Sequence, residues 1–356
     1  MFNTTQNTAL QFKKFAEYGT SGSSPLYEAL AVRVAADPEI LADVAETPTS
    51  QPVPNMLFGA VHAMLLSGVE HPLRAYYPNL VGSALAPDGA FEPFRAFCMT
   101  HAEDIRAILR TRKVQTNEVR RCTVLLPALA YVLGRVGDRP LALLEVGTSA
   151  GLNLLFDHYR YEYEGVGAFG DSASPLVLTG TVRGDRLPPI PRQPIPIAWR
   201  AGIDLDPIDL HDAEAVRWLR ALIWPEHHER RVMFDAALSV AVRHPVALLK
   251  GDALEVMPRV LANAMPRLEP IPAQAALCVF HSFTLNQFPV EAREAFDLQL
   301  RDQSNHRPIY RLGIEWLTSD LPPTVTLTRY VSGESTTETL AYCESHGRWL
   351  EWRAEG

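Results

Sequence analysis

Hydrophobic positions change their spacing once along this chain, near residue 137. Up to that point they recur at helical intervals. From Phe91 to Arg112, Phe94, Phe97, Ile105, Ile108 and Leu109 share a side with charges between them, and from Glu118 to Val136, Val119, Cys122, Leu125, Leu126, Leu129, Val132 and Leu133 do the same. Pro127 predicts a kink in the second run, because proline lacks an amide N–H and its ring crowds the preceding turn. Thr116 or Asn117 stands where an N-cap is needed. The turn-rich stretches Thr47 to Asn55 and Tyr76 to Gly89 separate earlier helices, so residues 1–136 read as a helical domain.

Beyond Gly137-Asp138-Arg139-Pro140 the pattern becomes strand, turn, helix, which assigns residues 137–356 to an α/β domain. Leu141 to Val146 is a first strand, and the segment after Gly151 is its helix. Tyr159 to Pro196, rich in Gly and Pro, reads as an insertion that loops out; within it Tyr159, Tyr161 and Tyr163 alternate as in an extended packing edge. Ile197 to Pro207 is a second strand ending in acids, followed by a helix from about Asp212 to Leu222. Val246 to Lys250, Ala275 to Phe283 and Pro308 to Leu317 are the third, fourth and fifth, the fourth apolar throughout, as buried parallel strands are. Val325 to Val331 and Leu340 to Trp352 read as a hairpin around a polar turn, closing the sheet.

The chain has 356 residues, 47% hydrophobic and 21% charged, which is ordinary for a folded globular protein. A formal net charge of −8 with no basic block argues against nucleic acid as a partner. Met1 to Leu10 lacks a signal-peptide pattern, and no apolar run reaches the roughly 18 residues that a membrane span requires, so a cytoplasmic location is expected. Cys98, Cys122, Cys278 and Cys343 are scattered and read as reduced structural thiols. His227-His228-Glu229 lacks the spacing of a metal motif, and no metal is expected. The oligomeric state is not legible.

Candidate chemistry concentrates in Leu143 to Leu154. Its apolar strand ends in Glu145, and Gly147, Thr148, Ser149, Ala150 and Gly151 make a small-residue turn into the next element. Such a turn lets backbone amides approach a ligand. The same letters spell Gly147-x-Ser149-x-Gly151, the elbow of a serine hydrolase, with Asp252 or Asp320 and His281 or His346 available as triad partners downstream. No oxyanion-loop motif precedes Leu141, and the Gly-x-Gly-x-x-Gly spacing of a dinucleotide loop is absent. Nucleotide-type binding leads, with the hydrolase kept as the alternative.

Strand by strand, the second half resembles class I S-adenosylmethionine-dependent methyltransferases. Their first motif, acid-x-Gly-x-Gly-x-Gly, is matched by Glu145, Gly147 and Gly151, with Ser149 in place of the middle glycine. The resemblance implies a Rossmann-like sheet of seven strands with a C-terminal hairpin, first and fourth strands adjacent, and S-adenosylmethionine as cofactor. It places Glu145, Gly147, Thr148, Ser149, Gly151 and Asn153 at the cofactor, Asp204 at its ribose and Asp252 at its adenine. His281 after the fourth strand would be the base, helped by Asn286, with Ser282, Gln115 and Asn117 near a small-molecule acceptor and the helical domain as a lid. Over nearly its full length the chain also resembles an uncharacterised bacterial group, domain of unknown function 2332. That likeness is carried by Tyr76-Tyr77-Pro78, Val114 to Val119, Leu143 to Leu154, Gly202 to Leu205, Trp224-Pro225-Glu226 and His346 to Trp352, and it implies no substrate. A protein that binds the cofactor without catalysis is a further alternative.

Overall fold

The computed structural model describes residues 4–20, 22–137, 139–318 and 320–355. Asp138 of the expected boundary and the first three residues of the N-terminal stretch lie outside them. The helices in chain order are α1 (Thr5–Lys14), α2 (Pro25–Val34), α3 (Pro38–Val44), α4 (Val53–Leu66), α5 (Phe91–Thr100), α6 (Ala102–Thr111), α7 (Cys122–Val136), α8 (Ala213–Ala221), α9 (His228–Arg243), α10 (Ala253–Leu261) and α11 (Val290–Gln303). None of the described helices is long and apolar enough to cross a membrane.

The expected helix over Phe91 to Arg112 is two helices, interrupted at His101, whose backbone leaves the helical region. Pro127 lies inside α7, which continues past it. Neither Thr116 nor Asn117 caps the segment before α7; Glu118 does, accepting from the Arg120 amide at 3.3 Å.

Two compact units divide the chain differently from a cut at residue 137. The first comprises residues 1–116 and 211–232, the second 117–210 and 233–356. The helix after the second strand, α8, therefore joins the helical unit, and α7 joins the sheet. The physical reason for the first is Trp218, which is buried in the helical core, donates to the Lys113 carbonyl at 2.8 Å and packs where Gly59 of α4 leaves room. In the same unit Glu226 accepts from Ser24 Oγ (2.6 Å) and the Leu26 amide (2.8 Å), placing a carboxylate at the positive end of α2.

The second unit is built on β1 (Leu141–Val146), β2 (Arg160–Glu164), β3 (Gly167–Gly170), β4 (Val177–Arg183), β5 (Ile197–Asp204), β6 (Ala247–Lys250), β7 (Ala276–Ser282), β8 (Ile309–Glu315), β9 (Thr324–Val331), β10 (Glu334–Cys343) and β11 (Trp349–Trp352). They form one sheet of eleven strands, not seven, in the order β3-β2-β4-β11-β10-β9-β8-β7-β1-β5-β6. The five strands from β6 to β8 are mutually parallel. α10 and α11 cover one of their faces, burying Ala142, Leu144 and Val146 of β1 with Leu277 and Val279 of β7.

The Tyr159 to Pro196 segment does not loop out. It supplies β2, β3 and β4, with Tyr161 and Tyr163 buried and the intervening charges half-exposed. The C-terminal hairpin does not close the sheet either, because β11 continues it and pairs in parallel with β4. Ser332 and Gly333 both take positive φ, the requirement of a two-residue hairpin turn, so Glu334 to Thr339, expected as turn, is strand.

Candidate functional site

β1 pairs with β5 on one side and β7 on the other, so the chain leaves the sheet in opposite directions around its carboxyl end. This is the switch point at which open parallel sheets hold ligands. Glu145, the penultimate residue of β1, is buried. Its carboxyl group accepts from Thr148 Oγ1 (2.7 Å) and Asn153 Nδ2 (3.3 Å). Burial pushes its pKa up to about 8 against those two bonds, and the charge of Asp204 adds to the rise.

The turn after β1 is tied down amide by amide. Gly147 N and Thr148 N donate to the Ile203 carbonyl, Gly151 N to that of Thr148, Ser149 N to Asp204 Oδ2 (2.8 Å) and Ala150 N to Asn117 Oδ1 (3.3 Å). The expectation that these amides face a ligand is corrected: each donates within the protein. Gly147 and Gly151 sit at positive φ, as does Ser149 at 50°. A Cβ on Gly147 would run into the side chain of Thr284, so this glycine admits the chain's own segment after β7. The helix expected next is a 3-10 segment, Leu152–His158, broken by a non-helical Leu155.

Asp204 ends β5 and accepts a second amide, that of Asp206, at 2.9 Å. Asp252 is exposed and caps α10 through the Leu254 amide at 2.8 Å. Asn117 faces the turn: its Nδ2 donates to Ser149 Oγ at 2.9 Å. Gln115 belongs to the helical unit.

His281 pairs in register with Val146, and Glu145 with Phe280. Registered residues of parallel strands share a face and their neighbours take the other, so the His281 ring lies on the α11 face, 6.2 Å from the Phe296 ring, and Glu145 lies opposite. Placing His281 beside the Glu145 turn as one constellation is therefore corrected. His281 Nδ1 is 2.7 Å from Glu315 Oε1. Burial raises the pKa of Glu315, but the hydrogen bond and charge of His281 and the amides of Leu285 and Thr284 outweigh it and hold the carboxyl below its ordinary range.

Asn286 spends both amide atoms on the backbone of Trp316, at 2.8 and 3.0 Å. Ser282 shares the Glu145 face by alternation, and its buried Oγ has no hydrogen-bond partner among the described residues. Next to it, Phe283 takes a positive φ of 55°, unusual for a bulky residue, with the Arg121 guanidinium 4.3 Å from its ring. No group of three or more His, Cys, Asp or Glu among the described residues has the geometry to hold a metal.

Sequence reasoning missed Glu315, Thr284 and Arg121. Glu315 had a signal: an acid at the carboxyl end of an apolar run, as Glu145 is. Thr284 and Arg121 had none, since both act through residues distant in sequence.

Several marked segments of the sheet unit meet here. Asn117 reaches the Ser149 turn, Cys122 donates to Asn153 Oδ1 at 3.4 Å, and Thr123 donates to the Gly347 carbonyl at 2.6 Å. Residues 9–352 match the family described as an uncharacterised protein conserved in bacteria, DUF2332. The chain belongs to that family. No curated protein and no solved structure matches it. Within this DUF2332 chain, the Glu145–Asn153 turn with Asn117 and Asp204 forms one hydrogen-bonded assembly, and the His281–Glu315 pair a second one across the sheet.

Proposed function

We propose that the sheet unit binds S-adenosylmethionine at the β1–β7 switch point and passes its methyl group to an O, N or S nucleophile of a small molecule. The observation that supports this reading is strand order: the first and fourth parallel strands are neighbours, and an antiparallel hairpin follows the fifth, as the methyltransferase resemblance implies. The side chains fit the group in kind, with a carboxyl at the end of β1 and a carboxylate at the end of β5. The amides of the turn do not fit, since all five donate elsewhere. Asp204 would accept from the ribose hydroxyls, and Glu145 with Asn153 would fix the turn between them. When bound, the group supplies an electrophilic methyl carbon on a sulfonium sulfur.

The work left to the chain is in-line positioning, with a base required only for an acceptor that must lose a proton. Ser282, on the Glu145 face, is the polar side chain at the end of β7 that faces this region.

The test is equilibrium binding of radiolabelled S-adenosylmethionine. Asp204→Ala removes charge-assisted bonds of roughly 1.5–3 kcal/mol, so affinity should fall on the order of 10- to 100-fold in a folded variant. No binding by the native protein, or equal binding by the variant, rejects the reading. Release of S-adenosylhomocysteine in the presence of acceptors separates catalysis from binding alone.

The positive φ of Ser149 favours a second reading, because the hydrolase elbow also holds its serine in a strained turn. Ser149 Oγ, however, accepts from Asn117, and its backbone amide is already given to Asp204. Fluorophosphonate labelling that disappears in Ser149→Ala would establish the hydrolase.

A further inference from the structure

On the α11 face, β7, β8 and α11 border a cleft of about 660 Å³ with His281, Glu315 and Thr326 among its lining residues. His281 is 3% exposed, and its Nε2 is buried with no hydrogen-bond partner among the described residues. Its tautomer when neutral follows from the neighbours. The Glu315 carboxylate only accepts, so the 2.7 Å contact requires a proton on His281 Nδ1. Glu315 is held in place by the amides of Thr284, Leu285 and Asn286. In the neutral imidazole Nε2 therefore presents a lone pair, the arrangement that makes a histidine an acceptor or base. Gly313 makes room for it: a Cβ there would come within 2.8 Å of His281 Cε1.

The walls narrow the ligand. Arg301 and Arg311 both bond to Asp297, at 2.7 and 3.2 Å, and with Arg293 they are matched among the lining residues by Glu294, Asp297 and Glu315, so the cleft carries no net positive charge to select an anion. Leu298, Trp316 and Leu317 line it and are 66%, 46% and 59% exposed, an apolar group that soluble surfaces do not usually display together. We propose that this cleft binds a small apolar or aromatic molecule through a hydroxyl that donates to His281 Nε2. Where the hydroxyl is as acidic as a nitrophenol, the O–H bond breaks, its proton forms the Nε2–H bond, and Glu315 balances the resulting imidazolium beside the phenolate. The proposal does not rest on S-adenosylmethionine binding, since the cleft lies on the face away from Glu145.

The experiment compares 4-nitrophenol with 4-nitroanisole, which has the same body and no hydroxyl to donate, using the full chain. The native protein should bind the phenol at least about tenfold more tightly, with phenolate absorption appearing below the pH at which the free phenol ionises. His281→Gln should abolish the preference and the absorption. Leu298→Arg, at an exposed position, should weaken both probes without lowering the thermal midpoint. If His281→Gln does not fold, the native preference and the Leu298→Arg result decide together. Equal binding of the two probes, binding of neither, a preference that survives His281→Gln, or probe affinities unchanged by Leu298→Arg overturns the proposal.

Discussion

Glu145 is buried as an acid between Thr148 and Asn153, and its raised pKa is a statement about stability. In the unfolded chain the carboxyl releases its proton near 4.5, whereas in the folded protein it does so near 8. Between those values the folded state binds more protons, so the contribution is fully present below the unfolded pKa and is lost as pH rises through the folded one. The urea midpoint of the native protein should therefore decline from pH 5 to 8, and Glu145→Gln should flatten that slope. Parallel profiles would show that the carboxyl does not titrate in this window. Asn117 marks the limit of sequence reading at this scale. A cap or a cleft residue explains an Asn before a helix equally well, and only the fold shows that both its amide atoms engage Ser149 and Ala150 of the turn after β1.

The turns after β1 and β7 interlock, which makes them one element. Gly147→Ala would place a methyl group into Thr284 and impose a left-handed backbone on a residue with a Cβ, a conformation that costs about 1–2 kcal/mol before the clash is counted. Its destabilisation should exceed about 2 kcal/mol, and adding Thr284→Gly should recover the steric part while the backbone part persists. A Gly147→Ala protein within about 0.5 kcal/mol of the native, by urea unfolding, would contradict the interlock. The parallel strands were legible: β1, β5, β6, β7 and β8 lie within a few residues of their expected limits, most clearly β1 and β7, which are covered on both faces and written as apolar runs, whereas β6 is a partly exposed edge. Their relative register was not, and register is what separates His281 from Glu145. The strands of 160–183 escaped notice because Gly and Pro around them read as loop, although the alternation at Tyr161 and Tyr163 was visible.

At the scale of the molecule, neither unit is continuous in sequence, and no hydrophobic period announces that Trp218 packs with residues of the N-terminal helices. The sheet unit depends in turn on its last strand. Trp352 is 4% exposed and meets Tyr131 edge-on at 5.5 Å, so Trp352→Ala should cost about 3–5 kcal/mol. Because β11 also holds β4, the same variant should open the segment around Arg183 and Arg186 to trypsin before the rest of the sheet; unchanged cleavage there would show that β4 is held by other contacts. That parallel pair also sets a timetable. During synthesis residues 160–183 leave the ribosome well before residues 349–352, the neighbour that joins them to the sheet. β2, β3 and β4 can pair with one another and anchor through Tyr161 and Tyr163 to residues already made, but their ladder to the rest of the sheet must wait for β11.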